Sequence, residues 1–178
     1  MKNVCVYCGS RKPLDKSISD FAIQLGEQFA QKEWTIIYGG GKVGVMGIVA
    51  DAALSKNGEV IGVIPTHLKK LEVEHTGITK LHETQDMHTR KALMESLSDA
   101  FIVLPGGFGT LDEFFEILTW RQLGIHNKPI ILVNLNGYFD GLEAFAKKAV
   151  SEDFIRESSL ELFKIAYSLD ECIEMLEE

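Results

Sequence analysis

Hydrophobic positions in this chain alternate between short unbroken runs and longer stretches of helical period. Val4-Cys5-Val6-Tyr7-Cys8 has strand character and stops at Gly9-Ser10. Ile18, Phe21, Ala22, Leu25 and Phe29 then fall on one face of a 3.6-residue repeat. Trp34 to Tyr38 is a second strand that runs into Gly39-Gly40-Gly41, and Val43 to Ser55 predicts an alanine-rich helix closed near Asn57-Gly58. Val60 to Ile64 is a third strand, ended by Pro65. Residues 66 to 85 are less regular, with a short extended piece near Ile78 to His82. Asp86 reads as a helix cap before Met87 to Leu97. Ala100 to Leu104 is a strand, Leu111 to Leu123 a helix, Ile130 to Val133 a strand and Tyr138 to Val150 a helix. Phe163 to Ala166 is a weaker strand, and Leu169 to Leu176 a closing helix whose Leu169, Ile173 and Leu176 stripe is assigned to the core. Nearly all-apolar strands alternating with helices predict an α/β fold: a Rossmann-like, open, mainly parallel sheet with helices on both faces. The pattern does not fix the strand order.

Nothing along the 178 residues divides the chain, so residues 1–178 are read as a single domain. The formal net charge of −8 argues against general binding of nucleic acid or anionic membrane, because long-range repulsion opposes both. A local anion pocket remains open. No apolar run approaches the ~20 residues of a membrane span, and Met1 to Cys8 lacks the form of a signal peptide. Three cysteines do not make a disulfide frame. These features predict a cytoplasmic protein without membrane partners.

Two glycine clusters follow strands. The first is Gly39-Gly-Gly-Lys-Val-Gly-Val-Met-Gly47; the second is Pro105-Gly-Gly-Phe-Gly-Thr110, followed by Leu111-Asp112-Glu113. In open α/β sheets, ligands bind beyond the carboxyl ends of the strands. Glycines let backbone N–H groups converge on an anion, and the following helix adds free N–H groups and a positive dipole end. Tight strand-to-helix turning is the alternative use of the same glycines. Neither cluster ends in Gly-Lys-Ser/Thr, as a P-loop would. The first also lacks an acidic residue at the end of the next strand, where Ile64-Pro65 stands, which disfavours NAD or FAD and favours a small nucleotide's phosphate.

Leu111, Phe114, Phe115 and Leu118 predict an apolar face for the helix after the second cluster. Glu113 and Glu116 then lie on the opposite side, one above the other. Two carboxylates near a glycosidic carbon can stabilise an oxocarbenium-like centre and orient water. On composition and spacing alone, Asp112, Glu113 and Glu116 read equally as a solvated face at a helix start. Arg90 offers a rigid fork for phosphate or carboxylate, yet Arg90 and Lys91 taken in isolation read as surface charges. The five histidines show no metal-ligand spacing, and Cys5 and Cys8 read as packing thiols.

Taken together, these motifs resemble the LOG ("Lonely Guy") family of cytokinin riboside 5′-monophosphate phosphoribohydrolases, often mislabelled as lysine decarboxylases. Pro105 to Glu113 is similar to its PGGxGTxxE signature, and Gly39 to Gly47 to its YGGGxxGLMG stretch, with Val45 where leucine is commoner. Cys8-Gly-Ser-Arg11, Glu72 to Thr79, Met87-His-Thr-Arg-Lys91 and Thr119-Trp-Arg-Gln-Leu-Gly124 resemble further family segments, so the likeness covers nearly the whole chain. The resemblance implies catalytic roles for Arg90 and Glu113. It implies a substrate site of Ser10, Gly41, Gly44, Gly47, Glu72, Lys91, Gly107, Phe108, Gly109, Thr110, Leu111, Asp112 and Thr119 beside them. It further implies hydrolysis of AMP or N6-substituted AMP to the free base and ribose 5-phosphate, no cofactor or metal, and a homodimer with sites near the subunit interface. A plain AMP nucleosidase and a non-catalytic nucleotide or cofactor carrier, like the related molybdenum-cofactor carriers, are the alternatives. A lysine decarboxylase is poorly supported, since no lysine has a persuasive Schiff-base setting for pyridoxal phosphate.

Overall fold

The computed structural model of the chain describes residues 2–69 and 73–178. A seven-stranded sheet runs in the order β4-β3-β2-β1-β5-β6-β7, and every neighbouring pair is parallel. The strands are β1 (Asn3–Tyr7), β2 (Thr35–Tyr38), β3 (Val60–Pro65), β4 (Lys80–Thr84), β5 (Ala100–Val103), β6 (Ile130–Val133) and β7 (Lys164–Ala166). The helices are α1 (Lys16–Gln31), α2 (Gly44–Ser55), α3 (Met87–Leu97), α4 (Phe108–Gln122), α5 (Asp140–Ser151) and α6 (Leu169–Glu177).

Strand side chains alternate between two cores. Val4, Val6, Ile36, Tyr38 and Ile102 pack beneath α1, α2 and α6, where Leu25, Val49 and Leu176 meet them. Cys5, Tyr7, Ile37, Phe101 and Val103 pack on the other side, with Met94 of α3, Phe114 of α4 and Leu142 of α5. Apolar residues at both parities of each central strand are what two covered faces require. The closing stripe of Leu169, Ile173 and Leu176 joins the first core, as expected. Cys5 and Cys8 stand in opposite cores, and all three cysteines are free and buried. Burial raises the pKa of each thiol, that of Cys172 to about 12, so they are packing groups and not thiolates. None of the described helices is long and apolar enough to cross a membrane.

Most bounds shift by a residue, and three element starts differ from the sequence reading by two or more. β4 begins at Lys80 rather than Ile78, because Ile78 folds back against Gly62 while ladder pairing starts at Ile61↔Lys80. A short 3₁₀ turn over Leu135–Gly137, with Asn136 at φ 51° and Gly137 at φ 73°, delays α5 to Asp140. The difference that matters most is at α4. Its helix begins at Phe108, with Gly107 as N-cap, so Phe108-Gly109-Thr110 is a helical first turn and not part of the preceding loop.

The strand order reverses direction at β1: β2 lies on one side of it and β5 on the other. The helices that follow β1 and β5 pack on opposite faces, α1 with the first core and α4 with the second. The two loops therefore part at the carboxyl ends of these strands and leave a crevice, the place where open α/β sheets bind ligands.

Candidate active site

A cavity of about 680 Å³ fills this crevice. That is within the range of roughly 300–1,000 Å³ for small-molecule sites. Its walls come from the loop after β1 (Gly9 to Asp15), the end of β2 (Gly39), α3 (Met87 and Arg90), the β5–α4 junction (Pro105 to Thr110, and Glu113) and the turn after β6 (Leu135, Asn136 and Tyr138).

The two glycine clusters have different uses. The N-terminus of α2, after the first cluster, is closed by protein: Val45 and Met46 donate their N–H groups to the Gly9 carbonyl, at 3.0 and 3.4 Å. Gly44 has φ 69°, and a Cβ there would lie 2.3 Å from Ser10 C; one on Gly47 would lie 1.8 Å from the Lys42 carbonyl oxygen. These glycines, with Gly41 in an isolated bridge to Glu74, hold loops together and lie outside the cavity wall. The glycines of the first cluster thus serve close packing and turning, one of the two uses that the sequence leaves open. At α4 no side chain caps the helix, and the first intrahelical bond is Leu111 N–H to Gly107 O at 3.1 Å. The N–H groups of Phe108, Gly109 and Thr110 precede it and have no intrahelical acceptor. Gly107, Phe108, Gly109 and Thr110 all line that cavity, as does the exposed Ser10.

Facing this helix start are Arg90 and Glu113, respectively 4% and 8% exposed. Neither is the surface group that spacing alone suggested. Phe115 is exposed, while Phe114 and Ile117 are buried, so the buried side of α4 is rotated from the predicted face and carries Glu113 inward. Arg90 lies one turn into α3, whose Asp86 cap accepts the Thr89 N–H at 2.8 Å. Its guanidinium reaches past the end of the β2–β3 pairing. Nε donates to Val63 O at 3.0 Å and Nη2 to Gly39 O at 3.3 Å, leaving Nη1 3.5 Å from Glu113 Oε1. Gly39 is essential to this approach, since a Cβ there would stand 2.2 Å from Arg90 Nη2. A buried carboxylate without a cation would be costly, and the two backbone carbonyls fix where that cation stands.

Lys91 is also buried, but it faces away from the cavity and pairs with Asp112 at 3.0 Å and with Glu116. Burial lowers the pKa of its ammonium, and the bonds from Glu116 and Asp112 more than reverse this, so the net shift is upward. Lys91 thus ties α3 to α4 one residue from the Arg90–Glu113 pair. Asp112 and Thr119 are exposed and Leu111 half-buried, all three outside the cavity wall. Glu72 lies outside the described residues. Gly39, Met46, Met87 and Tyr138 went unassigned by sequence reasoning. Their signal was positional, since Gly39 and the turn before Tyr138 also follow the carboxyl ends of strands. Among the described residues no group of three or more His, Cys, Asp or Glu side chains could hold a metal ion.

Fold and site together define a Rossmann-like α/β protein with an uncapped, glycine-rich helix start beside a buried carboxylate–guanidinium pair. A protein-family profile described as "Possible lysine decarboxylase" matches residues 46–176. The "Probable cytokinin riboside 5′-monophosphate phosphoribohydrolase LOGL2" of Oryza sativa subsp. japonica is 45% identical over 177 residues, 99% of this chain and 72% of that protein. The "Cytokinin riboside 5′-monophosphate phosphoribohydrolase LOG3" of Arabidopsis thaliana is 42% identical over 99% of this chain and 82% of its own length. Among solved structures, the molybdenum cofactor binding protein of Rippkaea orientalis superposes with a TM-score of 0.76 at 25% identity, covering 99% of this chain and 96% of that one. The chain belongs to the LOG family of phosphoribohydrolases, which the "Possible lysine decarboxylase" profile covers.

Arg90's position makes Gly39 a sensitive point. Gly39→Ala should displace the guanidinium and lower turnover by about 10- to 100-fold, because misplacement of about 1 Å near a reacting centre has this scale of effect. Steady-state kinetics beside a far-UV circular dichroism spectrum would check it. A wild-type rate would mean that the contact is dispensable.

Proposed function

We propose that this protein hydrolyses the N-glycosidic bond of cytokinin riboside 5′-monophosphates and related N6-substituted or plain adenosine 5′-monophosphates, yielding the free base and ribose 5-phosphate. The observation that carries the reading is the buried Arg90–Glu113 pair beside the open N-terminus of α4. Relatives that span the whole chain and bear this activity in their names support it.

In this reading the 5′-phosphate rests on the N–H groups of Phe108, Gly109 and Thr110, where the helix dipole favours an anion. The Thr110 hydroxyl stands beside them. Side chains on a helix lean toward its N-terminus, so Glu113, roughly 9 Å along the axis from Gly107, reaches back toward the phosphate site. The phosphate's binding energy holds C1′ against the Glu113 carboxylate. As the bond from C1′ to the base nitrogen breaks, its electron pair leaves with the base. Glu113 stabilises the positive charge on the sugar and orients the water whose oxygen adds to C1′; one of its protons stays on the new hydroxyl and the other balances the base nitrogen that took the electron pair. Arg90, held by two carbonyls, orients Glu113 and the phosphoribosyl group. The Lys91 rung keeps the two helices in register.

Two coarser features complete the proposal. Phe108, Asp112, Phe115, Thr119 and Gln122 form an exposed stripe along α4, continued by exposed Leu123 and Ile125. Such a surface suits a second copy of the chain, and Thr119 would serve there. Free buried thiols accord with a reducing, cytoplasmic setting.

Incubation with AMP and with N6-isopentenyl-AMP, with and without chelator, should release adenine or N6-isopentenyladenine together with ribose 5-phosphate, unaffected by the chelator. Release of neither base would end the assignment. Glu113→Gln should lower turnover by about 100-fold or more with the fold intact, the scale seen when one electrostatic stabiliser of a transition state is removed. Sedimentation at micromolar concentration should give twice the 19.8 kDa chain mass, and Phe115→Glu should reduce it to the monomer. A monomeric parent protein would remove the dimer from the account.

A further inference from the structure

Tyr138 follows the turn after β6 and is 52% exposed, yet its hydroxyl donates to the Gly106 carbonyl at 2.7 Å. The turn that carries it is anchored on both sides. Asn136 Nδ2 donates to Asp15 Oδ2 at 2.8 Å and to Ser17 Oγ at 3.0 Å. Asn134 accepts the Phe139 N–H at 2.8 Å and donates to Asp140 Oδ1 at 2.8 Å. The ring packs edge-on against Phe139, with centroids 5.0 Å apart. The hydroxyl is therefore delivered from a fixed platform, across the cavity mouth, to the peptide that leads into the N-cap of α4.

That peptide joins two glycines, so neither flanking residue has a Cβ to resist its rotation. Gly107 has open space where a Cβ would stand. In a trans peptide the carbonyl and the next N–H point in opposite directions. Rotating the 106–107 peptide would move the Gly106 carbonyl oxygen and the Gly107 N–H to each other's sides, directly before the amides of Phe108 to Thr110 that the proposed function gives to the phosphate. The bond from Tyr138 holds Gly106 O in place and opposes that rotation.

We infer that Tyr138 is a positioning residue for the phosphate cradle: it holds the Gly106–Gly107 peptide in the orientation that admits the 5′-phosphate. It acts through the phosphate-bearing half of the substrate and not through the base. The inference rests on the proposal that this helix start is the phosphate site.

Tyr138→Phe keeps the ring and removes only the hydroxyl. KM for AMP and the inhibition constant of ribose 5-phosphate should each rise about 3- to 10-fold, the scale of one net hydrogen bond. The dissociation constant of adenosine, which lacks the phosphate, should stay at the parent value. Equal weakening of AMP and adenosine would make Tyr138 a general structural residue and overturn the inference, as would unchanged values for all three ligands. If the parent protein releases no base from AMP, the hydrolase reading fails alone, and calorimetric titration of AMP, ribose 5-phosphate and adenosine into both proteins still decides the role of Tyr138.

Discussion

The site is organised around one guanidinium. Arg90 leaves α3 and donates to the carbonyls of Gly39 and Val63 at the ends of two neighbouring strands. This ties the helix to the carboxyl edge of the sheet and sets a positive charge 3.5 Å from Glu113. The carboxylate can then occupy a buried position on α4 that would otherwise be unfavourable. Several other features follow from the same constraint. A Cβ on Gly39 would displace the guanidinium, Lys91 pairs with α4 instead of facing the cavity, and Glu113 lies one turn behind the uncapped start of α4.

The division of labour between the two glycine turns follows from where each helix N-terminus points. Both turns join a buried strand to a helix, and both contain enough glycine to cradle an anion. The α2 start is satisfied internally by the Gly9 carbonyl, and in doing so it holds the loop after β1 against the crevice. The α4 start has no such partner among the described residues and lines the cavity. One turn secures the loop that forms part of the wall, and the other places a helix start in the wall itself.

The layered fold was readable in the sequence because β1, β2, β5 and β6 are apolar at both parities, the pattern of strands covered on two sides. The edge strands β4 and β7 read weakly because an edge needs less burial and carries lysines, Lys80 and Lys164. Strand order depends on long-range pairing and left no local trace. The importance of Glu113 and Arg90 was legible only through the resemblance of whole motifs. By spacing, the helix face was misjudged, because Phe115 is apolar yet exposed and Glu113 is charged yet buried. Tyr138 and Gly39 act through a single carbonyl and a single missing methyl group, contacts that exist only once distant loops have met.

The most direct test of the account is a crystal structure of the protein with AMP bound. The phosphate should accept hydrogen bonds from the amides of Phe108 to Thr110, with C1′ against the Glu113 carboxylate and Arg90 still seated on Gly39 and Val63. A phosphate bound elsewhere in the crevice, with the sugar turned away from Glu113, would contradict it.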